Sequence, residues 1–210
     1  YEAPYLDNLP TAPREKFAAN IAAIQKLKEI EQRVANGGSP AFEDEQKILA
    51  QYTGWGGLSD AFDPNKSTWS NEYSQLKAAL SESEYEAARS STLTAFYTPA
   101  TVIHPIYRAL ERFGVKGGKI LEPSMGTGAF LAHGHFGSSD AKFYGVELDS
   151  ITGRISKQLY QKANIQVTGY ENALLPDNYF DCVIGNVPFG NFQVNDPQYL
   201  SLIHISEPTR

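Results

Sequence analysis

Several features are scarce in this sequence, and each scarcity excludes a class of protein. A single Cys among 210 residues leaves no disulfide framework and fits a reducing cytoplasm. No stretch approaches the ~20 consecutive apolar residues of a membrane-spanning helix. Lys and Arg number 18 against 24 Asp and Glu, a net charge of −6, so the composition shows no basic surface of the kind that binds nucleic acid. What remains is a globular cytoplasmic composition, 41% hydrophobic and 20% charged.

Methionine is equally scarce, and the two ends of the chain have an unusual character. The chain opens on Tyr1, and its one Met is Met125. The stretch Leu200–Arg210 resembles the translation of a sequencing adapter, with the start of a real C-terminal helix as the alternative. We therefore expect a piece of a longer protein with a non-native tail at 200–210.

The first part of the chain reads as helical. Apolar residues from Phe17 to Val34 recur at spacings of three and four, which predicts a helix over 15–35. A second helix is predicted from Ser39 to near Tyr52, and the capping box Ser81-x-x-Glu84 opens another. These elements make up a predicted α-helical N-terminal region, residues 1–93.

The stretch "YTGWGGL", Tyr52–Leu58, allows two interpretations. Its glycines and Trp55 suit a binding loop. They equally suit a structural role in which Trp55 anchors helices while glycine lets backbones approach, and this second interpretation is favoured.

After Phe96 strands and helices alternate. Thr98 is predicted to cap a helix with Pro99 at its first position, and "GKILEP", "KFYGVELD", "NIQVTGY" and "FDCVIGN" are predicted strands. Ser150 is predicted to cap the helix that follows the second strand. This alternation predicts an α/β fold with a mainly parallel, right-handed sheet of about four strands.

The candidate binding and catalytic residues follow the carboxyl ends of these strands, where ligands bind in open α/β sheets. The first strand leads into "LEPSMGTGAF", the second ends at Glu147, the third near Glu171, and the fourth at Asn186. The first loop is neither G-x-G-x-x-G nor a G-x-x-x-x-G-K-[ST] phosphate loop, which argues against a dinucleotide and against a P-loop nucleotidase. A Glu-Pro-x-x-Gly-x-Gly loop with a ribose-binding Glu favours S-adenosylmethionine.

The order "YTP", "LEPSMGTGAF", "GVELD", "NVPFG" resembles the N6-adenine DNA methyltransferases in their gamma arrangement. The resemblance implies a Rossmann-like S-adenosylmethionine-dependent methyltransferase core, whose N-terminal part would occupy residues 94–199. The lead-in with "QYTGWGGL" further resembles very large phage and mobile-element proteins in which a methylase precedes a helicase. DNA is the implied partner, with a helicase domain expected in the same parent chain.

The resemblance also implies roles for individual residues. In that family the tetrad N-P-P-[YF] is catalytic, and here it reads Asn186, Val187, Pro188 and Phe189. The implied cofactor-binding residues are Tyr97, Thr98, Glu122, Pro123, Ser124, Gly126, Gly128, Phe130, Glu147 and Glu171. No metal site is expected, since His133 and His135 have no Cys or carboxylate partner at ligand spacing.

Three functions remain open from the sequence. The first is methyl transfer to the N6 amino group of adenine in DNA. The second is transfer to an amide or amino nitrogen of protein or RNA. The third is an inactive methylase-like DNA-binding module beside a helicase, which Val187 in place of the family's proline favours. By themselves these residues are expected to be inactive, because the target-recognition region would lie beyond them.

Overall fold

The computed structural model describes residues 9–93, 97–134 and 141–187. Helices form the first part of the chain, and a sheet with flanking helices follows. The α-helices in these ranges are α1 (Pro13–Ala35), α2 (Glu43–Leu49), α3 (Ser70–Ala79), α4 (Glu82–Ser91), α5 (Ala100–Arg112), α6 (Ala129–His133) and α7 (Ser150–Leu159). The strands are β1 (Lys119–Glu122), β2 (Lys142–Glu147), β3 (Asn164–Val167) and β4 (Cys182–Val183), and short 3₁₀ helices span Ser59–Phe62, Ser67–Trp69 and Tyr170–Asn172.

The four strands form one parallel sheet in the order β3-β2-β1-β4, which confirms the predicted α/β class. Leu121 of β1 pairs with Tyr144 of β2 and with Val183 of β4. The chain therefore moves outward from β1 through β2 to β3 and then returns to the other side of β1. This reversal makes a topological switch point between β1 and β4, where α/β sheets hold their ligands.

A hydrophobic cluster joins α5 and α6 to the sheet. Its buried members are Ile103 and Tyr107 of α5, Ile120 of β1, Phe130 of α6 and Ile184 beyond β4. The Tyr107 hydroxyl donates to the Phe130 carbonyl at 2.9 Å. These contacts fix α6, and hence the loop that precedes it, relative to the end of β1.

The helical lead-in shares its core with the sheet region. Trp55 is 1% exposed and lies in one cluster with Phe17, Phe62 and the α7 residues Ile151 and Ile155. Trp55 of the "YTGWGGL" stretch therefore anchors the helices, as the favoured interpretation of the sequence predicts. The hydrophobic core runs from α1 to α7, across the boundary near residue 93 that the sequence predicts.

An ionic network reinforces this contact. The Arg154 guanidinium of α7 donates two hydrogen bonds of 2.7 Å to the Glu31 carboxylate of α1 and a third of 2.7 Å to Glu84 of α4. Glu84 also accepts from the Ser81 N–H at 2.9 Å, and Ser81 Oγ accepts from the Glu84 N–H, so the predicted capping box is present. One arginine thus joins two lead-in helices to the sheet region.

Three predicted helix starts are wrong. Helix α2 begins at Glu43, because the Arg33 guanidinium donates to the carbonyls of Ser39 and Pro40 and keeps them out of the helix. Helix α5 has Pro99 as its extended cap residue, so the N-cap lies one position after Thr98.

The third correction concerns α7, where Asp149 rather than Ser150 is the cap. Its carboxylate accepts from the Thr152 N–H at 2.7 Å, and a charged acceptor at a helix start is favoured by the dipole. Within the described ranges, no helix combines the length and apolarity needed to cross a membrane.

Candidate cofactor and catalytic site

The loop from β1 to α6 makes a tight backbone turn that only glycine fits. Gly126 and Gly128 have φ of +53° and +78°. A Cβ at Gly126 would lie 2.7 Å from Cε1 of Tyr97, and one at Gly128 would lie 2.4 Å from Cε2 of Tyr160. The Met125 N–H donates to the Val146 carbonyl at 3.0 Å. The glycine loop is therefore held against β2 and enclosed by two aromatic rings.

Glu147, at the end of β2, binds the same loop. One of its carboxylate oxygens accepts from the Gly126 N–H at 2.7 Å, and the other accepts from the Asp149 N–H at 2.8 Å. Burial raises the pKa of Glu147, the backbone N–H groups of Asp149, Gly126 and Leu148 oppose that rise, and the Asp149 charge adds to it. The two oxygens of a carboxylate have about four lone-pair sites, so Glu147 retains acceptor capacity for a ligand hydroxyl.

Glu122, at the end of β1, is a buried carboxyl. It is 3% exposed, and its Oε2 has no hydrogen-bond partner among the described residues. Burial raises its pKa well above the ordinary value, and the neighbouring Glu147 charge raises it further. A buried polar atom without a partner is costly, so Glu122 is a group that a cationic or N–H-bearing ligand would satisfy.

Gly185, the residue before Asn186, lies against the Glu122 side chain. The Ile184 N–H continues the β4 ladder by donating to the Leu121 carbonyl at 2.9 Å. A Cβ on Gly185 would lie 3.5 Å from both Cγ of Glu122 and Cδ of Pro123. The exposed Asn186 and Val187 follow directly, which brings the start of the tetrad to the switch point. Pro188 and Phe189 lie outside the described residues.

The other predicted site residues are placed in different ways. Tyr97 packs on Gly126, and Thr98 follows it half-buried. Pro123 and Ser124 are half-buried in the glycine loop. Phe130, by contrast, has its ring in the α5–α6 cluster. A cofactor contact from Phe130 would have to come from its backbone.

Glu171 lies apart from these residues in the 3₁₀ turn Tyr170–Asn172. It is exposed, and its Oε1 accepts from the Asn172 side chain at 3.0 Å. Its predicted role at the ligand's adenine amino group stays a prediction.

Sequence reasoning missed three residues that shape this site. Ser156 of α7 donates from Oγ to the Gly126 carbonyl at 3.0 Å, Tyr160 packs on Gly128, and Asp149 binds Glu147 through its N–H. Ser156 and Tyr160 are four residues apart, the spacing of neighbours on one helix face. That spacing was the available signal, but it does not reveal that the face turns toward the glycine loop.

Comparisons with known proteins identify the family of the chain. A family model described as N-6 DNA Methylase matches residues 83–201, more than half of the chain. The chain belongs to the N-6 DNA methylase family. Its described residues have the parallel α/β core predicted for an S-adenosylmethionine-dependent methyltransferase.

Two curated proteins are similar to this N-6 DNA methylase family member. "Defense against restriction protein B" of Escherichia phage P1 is 29% identical over 179 residues, which are 84% of this chain and 6% of that protein. "Modification methylase CviBIII" of Paramecium bursaria Chlorella virus NC1A is 33% identical over 95 residues, 45% of this chain and 25% of that protein. The chain thus spans a small part of the relatives' lengths.

The likeness to the phage protein reaches beyond the methylase match. Since 84% of 210 residues cannot fit inside 83–201, it includes part of the helical lead-in. Among solved structures, a candidate S-adenosyl-L-methionine-dependent methyltransferase of Methanococcus maripaludis is 21% identical, covers 40% of this chain and 42% of its own, and has a TM-score of 0.34.

S-adenosyl-L-methionine is the cofactor that this family membership implies, and the site residues of the N-6 DNA methylase fit it. It carries positive charge on its sulfonium and ammonium groups, which suits the unsatisfied Glu122 carboxyl. A ribose hydroxyl suits the remaining acceptor capacity of Glu147. The left-handed glycines at 126 and 128 let the backbone approach a ligand closely.

Proposed function

We propose that this chain is part of an enzyme that transfers a methyl group to the N6 amino group of adenine in DNA, and that it supplies the cofactor site and the start of the catalytic tetrad. The observation that supports this best is the position of Asn186, three residues beyond the end of β4 and directly after Gly185, where a Cβ would lie 3.5 Å from side-chain atoms of Glu122 and Pro123. A side-chain amide oxygen is thereby offered at the switch point, next to the residues that fit the cofactor. The family description, N-6 DNA Methylase, supports DNA as the substrate, and the chlorella virus relative is named a modification methylase.

The chemistry requires two hydrogen-bond acceptors near one nitrogen. The lone pair of adenine N6 is conjugated into the ring, so this nitrogen is a poor nucleophile. In our proposal the Asn186 side-chain oxygen and the Val187 carbonyl each accept one of its two N–H bonds. Acceptors in these positions favour a tetrahedral nitrogen and stabilise the positive charge that grows on it.

When bound, S-adenosylmethionine supplies an electrophilic methyl group for attack by this nitrogen. The residues of the chain hold the reactants. Glu122 and the glycine loop would bind the methionine end of the cofactor, and Glu147 would bind the ribose. Phe189 would stack on the adenine, which must leave the duplex to reach the site. After transfer the nitrogen loses a proton.

Val187 is the one departure from the family tetrad, and it supports the alternative of an inactive module. The acceptor at this position is a backbone carbonyl, which valine has as well as proline does. What valine lacks is the fixed φ of proline. We therefore infer a less preorganised but competent site.

The test is methyl transfer to DNA, RNA and protein by an enzyme that contains this chain. Labelled S-adenosylmethionine reports transfer, and mass spectrometry of the digested nucleic acid reports N6-methyladenine. The proposal expects methyladenine in DNA and its loss in an Asn186→Ala variant. Transfer of the labelled methyl group to protein or RNA alone would support an enzyme that acts on an amide or amino nitrogen of those substrates. Cofactor binding without any methyl transfer would support the inactive module. A helicase in the same parent chain stays a prediction.

A further inference from the structure

A buried asparagine of the lead-in holds the loop that contains Gly54. Asn20 of α1 is 0% exposed. Its Nδ2 donates to the Gly54 carbonyl at 2.7 Å, and its Oδ1 accepts from the Thr53 N–H at 2.8 Å. A single side chain thus satisfies a backbone donor and a backbone acceptor of one turn, which fixes that turn on α1.

The same turn presses against Tyr97. Gly54 has φ of +67°, and a Cβ there would lie 2.6 Å from the Tyr97 Oη and 3.3 Å from its Cζ. The opposite ring edge meets Gly126, where a Cβ would lie 2.7 Å from Cε1 and 3.0 Å from Cδ1. The Tyr97 ring is therefore enclosed between a glycine of the lead-in and a glycine of the cofactor loop.

Gly126 connects the Tyr97 ring to the residues of the cofactor site. Its N–H donates to Glu147 and its carbonyl accepts from Ser156. A shift of the Tyr97 ring toward Gly126 would displace the peptide that orients the Glu147 carboxylate. Tightly packed interiors transmit such shifts because they contain few voids.

We propose that Asn20 and Gly54 are positioning residues for the cofactor site, acting through Tyr97 on the glycine loop. The helical lead-in then forms part of the methyltransferase itself, because it sets where Gly126 and Glu147 lie. This inference rests on the S-adenosylmethionine assignment.

Gly57 provides a matched control for a purely structural role. It lies in the same loop with φ of +76°, yet a Cβ there would have nothing within 4 Å. Gly54→Ala and Gly57→Ala therefore introduce the same backbone strain, but only Gly54→Ala pushes on Tyr97.

The experiment measures S-adenosylmethionine affinity by calorimetry and Tm by thermal denaturation in both variants of the chain. We expect both to lower Tm, Gly54→Ala to weaken binding about tenfold or more, and Gly57→Ala to leave the Kd within about twofold. In a Tyr97→Phe background, which removes the nearest of the Tyr97 atoms that the new Cβ would meet, Gly54→Ala should weaken binding less.

Hydrogen exchange on the unmodified chain gives a second measurement that needs no variant to fold. Coupling between sites is reciprocal, so S-adenosylmethionine should slow exchange in Tyr52–Leu58 as well as in the glycine loop, while α3 is unchanged. Equal affinity of the two glycine variants, no recovery with Tyr97→Phe, or unchanged exchange in Tyr52–Leu58 would each overturn the proposal. If the unmodified chain binds no S-adenosylmethionine, the cofactor assignment fails and this inference fails with it.

Discussion

Glu122 combines burial with an unsatisfied oxygen, and this affects stability. Its folded pKa lies well above the ordinary value of 4.5, first because of burial and then because of the Glu147 charge. A carboxyl with a raised folded pKa contributes stability below its unfolded pKa, and that contribution is lost as pH rises toward the folded value. The chain therefore keeps a destabilising group at neutral pH, as expected of a residue kept for a ligand.

The replacement Glu122→Gln should make the chain more stable relative to the unmodified protein as pH rises above about 4.5. Urea denaturation at several pH values between 4 and 8 measures the difference in the free energy of unfolding. The same variant should bind S-adenosylmethionine more weakly, because it removes the negative charge. A stability difference that does not vary with pH would show that Glu122 does not titrate in this way.

The tetrad gives a second prediction for single residues. In an active enzyme that contains this chain, Asn186→Ala should lower kcat by about 10²–10³-fold, by analogy with the loss of one oxyanion-hole donor. Cofactor affinity should change little, since the contact strengthens only in the transition state. Steady-state kinetics and calorimetry check the two parts.

The companion variant Val187→Pro tests the backbone acceptor. It should be neutral or activating, because proline keeps the carbonyl and fixes φ. A severe loss of kcat would mean that the backbone here has a different geometry from that of the family.

At the scale of elements, the contact of α1 and α4 with α7 through Arg154 should be sensitive to acid. Burial acts to raise the pKa of Glu84, but the Arg154 hydrogen bond, the Ser81 N–H and the Lys28 charge outweigh it and lower the pKa to about 2. A depressed folded pKa contributes stability above the unfolded pKa, and that contribution is lost as pH falls through the folded value.

The free energy of unfolding should therefore fall between about pH 5 and pH 2, with Glu84 responsible for on the order of 3 kcal/mol. Glu84→Gln should remove the Glu84 share of this pH dependence, while Glu45, whose pKa the Arg33 hydrogen bond lowers to about 2, retains its own. Glu82→Gln is the control, since the Glu82 side chain in the same helix is 79% exposed and 3.6 Å from Lys77. The free energy of unfolding of the two variants is measured between pH 5 and pH 2. If it falls with pH equally in both variants, a residue other than Glu84 causes the pH dependence.

At the scale of the whole molecule, the shared core predicts one cooperative unfolding transition. Both Trp residues, Trp55 and Trp69, lie in the lead-in, so their fluorescence reports that region, while hydrogen exchange of β1 and β2 reports the sheet. Ile155→Ala in α7 should lower the free energy of unfolding by about 2–5 kcal/mol whether it is followed in the lead-in or in the sheet. Val102→Ala, at a side chain 47% exposed, should change little. Separate transitions would show two independent units.

The sequence was sufficient for the elements with strong periodicity and for the ends of the first two strands, whereas β3 and β4 end before the predicted Glu171 and Asn186. The apolar spacing from Phe17 to Val34 gave α1 almost at its observed bounds, because one face of a helix must be apolar to pack. The predicted helix start at Ser39 was wrong because Arg33 of α1 binds the Ser39 carbonyl. At Thr98 and Ser150 the predicted cap was wrong by one position, because the neighbouring Pro99 and Asp149 take the cap.

The sequence by itself determined which functional groups the site can contain. They are a glycine loop, a carboxylate and an amide that follow successive strands, in the order of a known family. Local backbone requirements and strand direction suffice to place them on one edge of a sheet. Only the tertiary structure showed that Gly54 of the lead-in touches Tyr97, that Phe130 turns into the core, and that Arg154 joins three helices. These contacts join residues far apart in sequence, and they depend on how two layers pack, which no local pattern encodes.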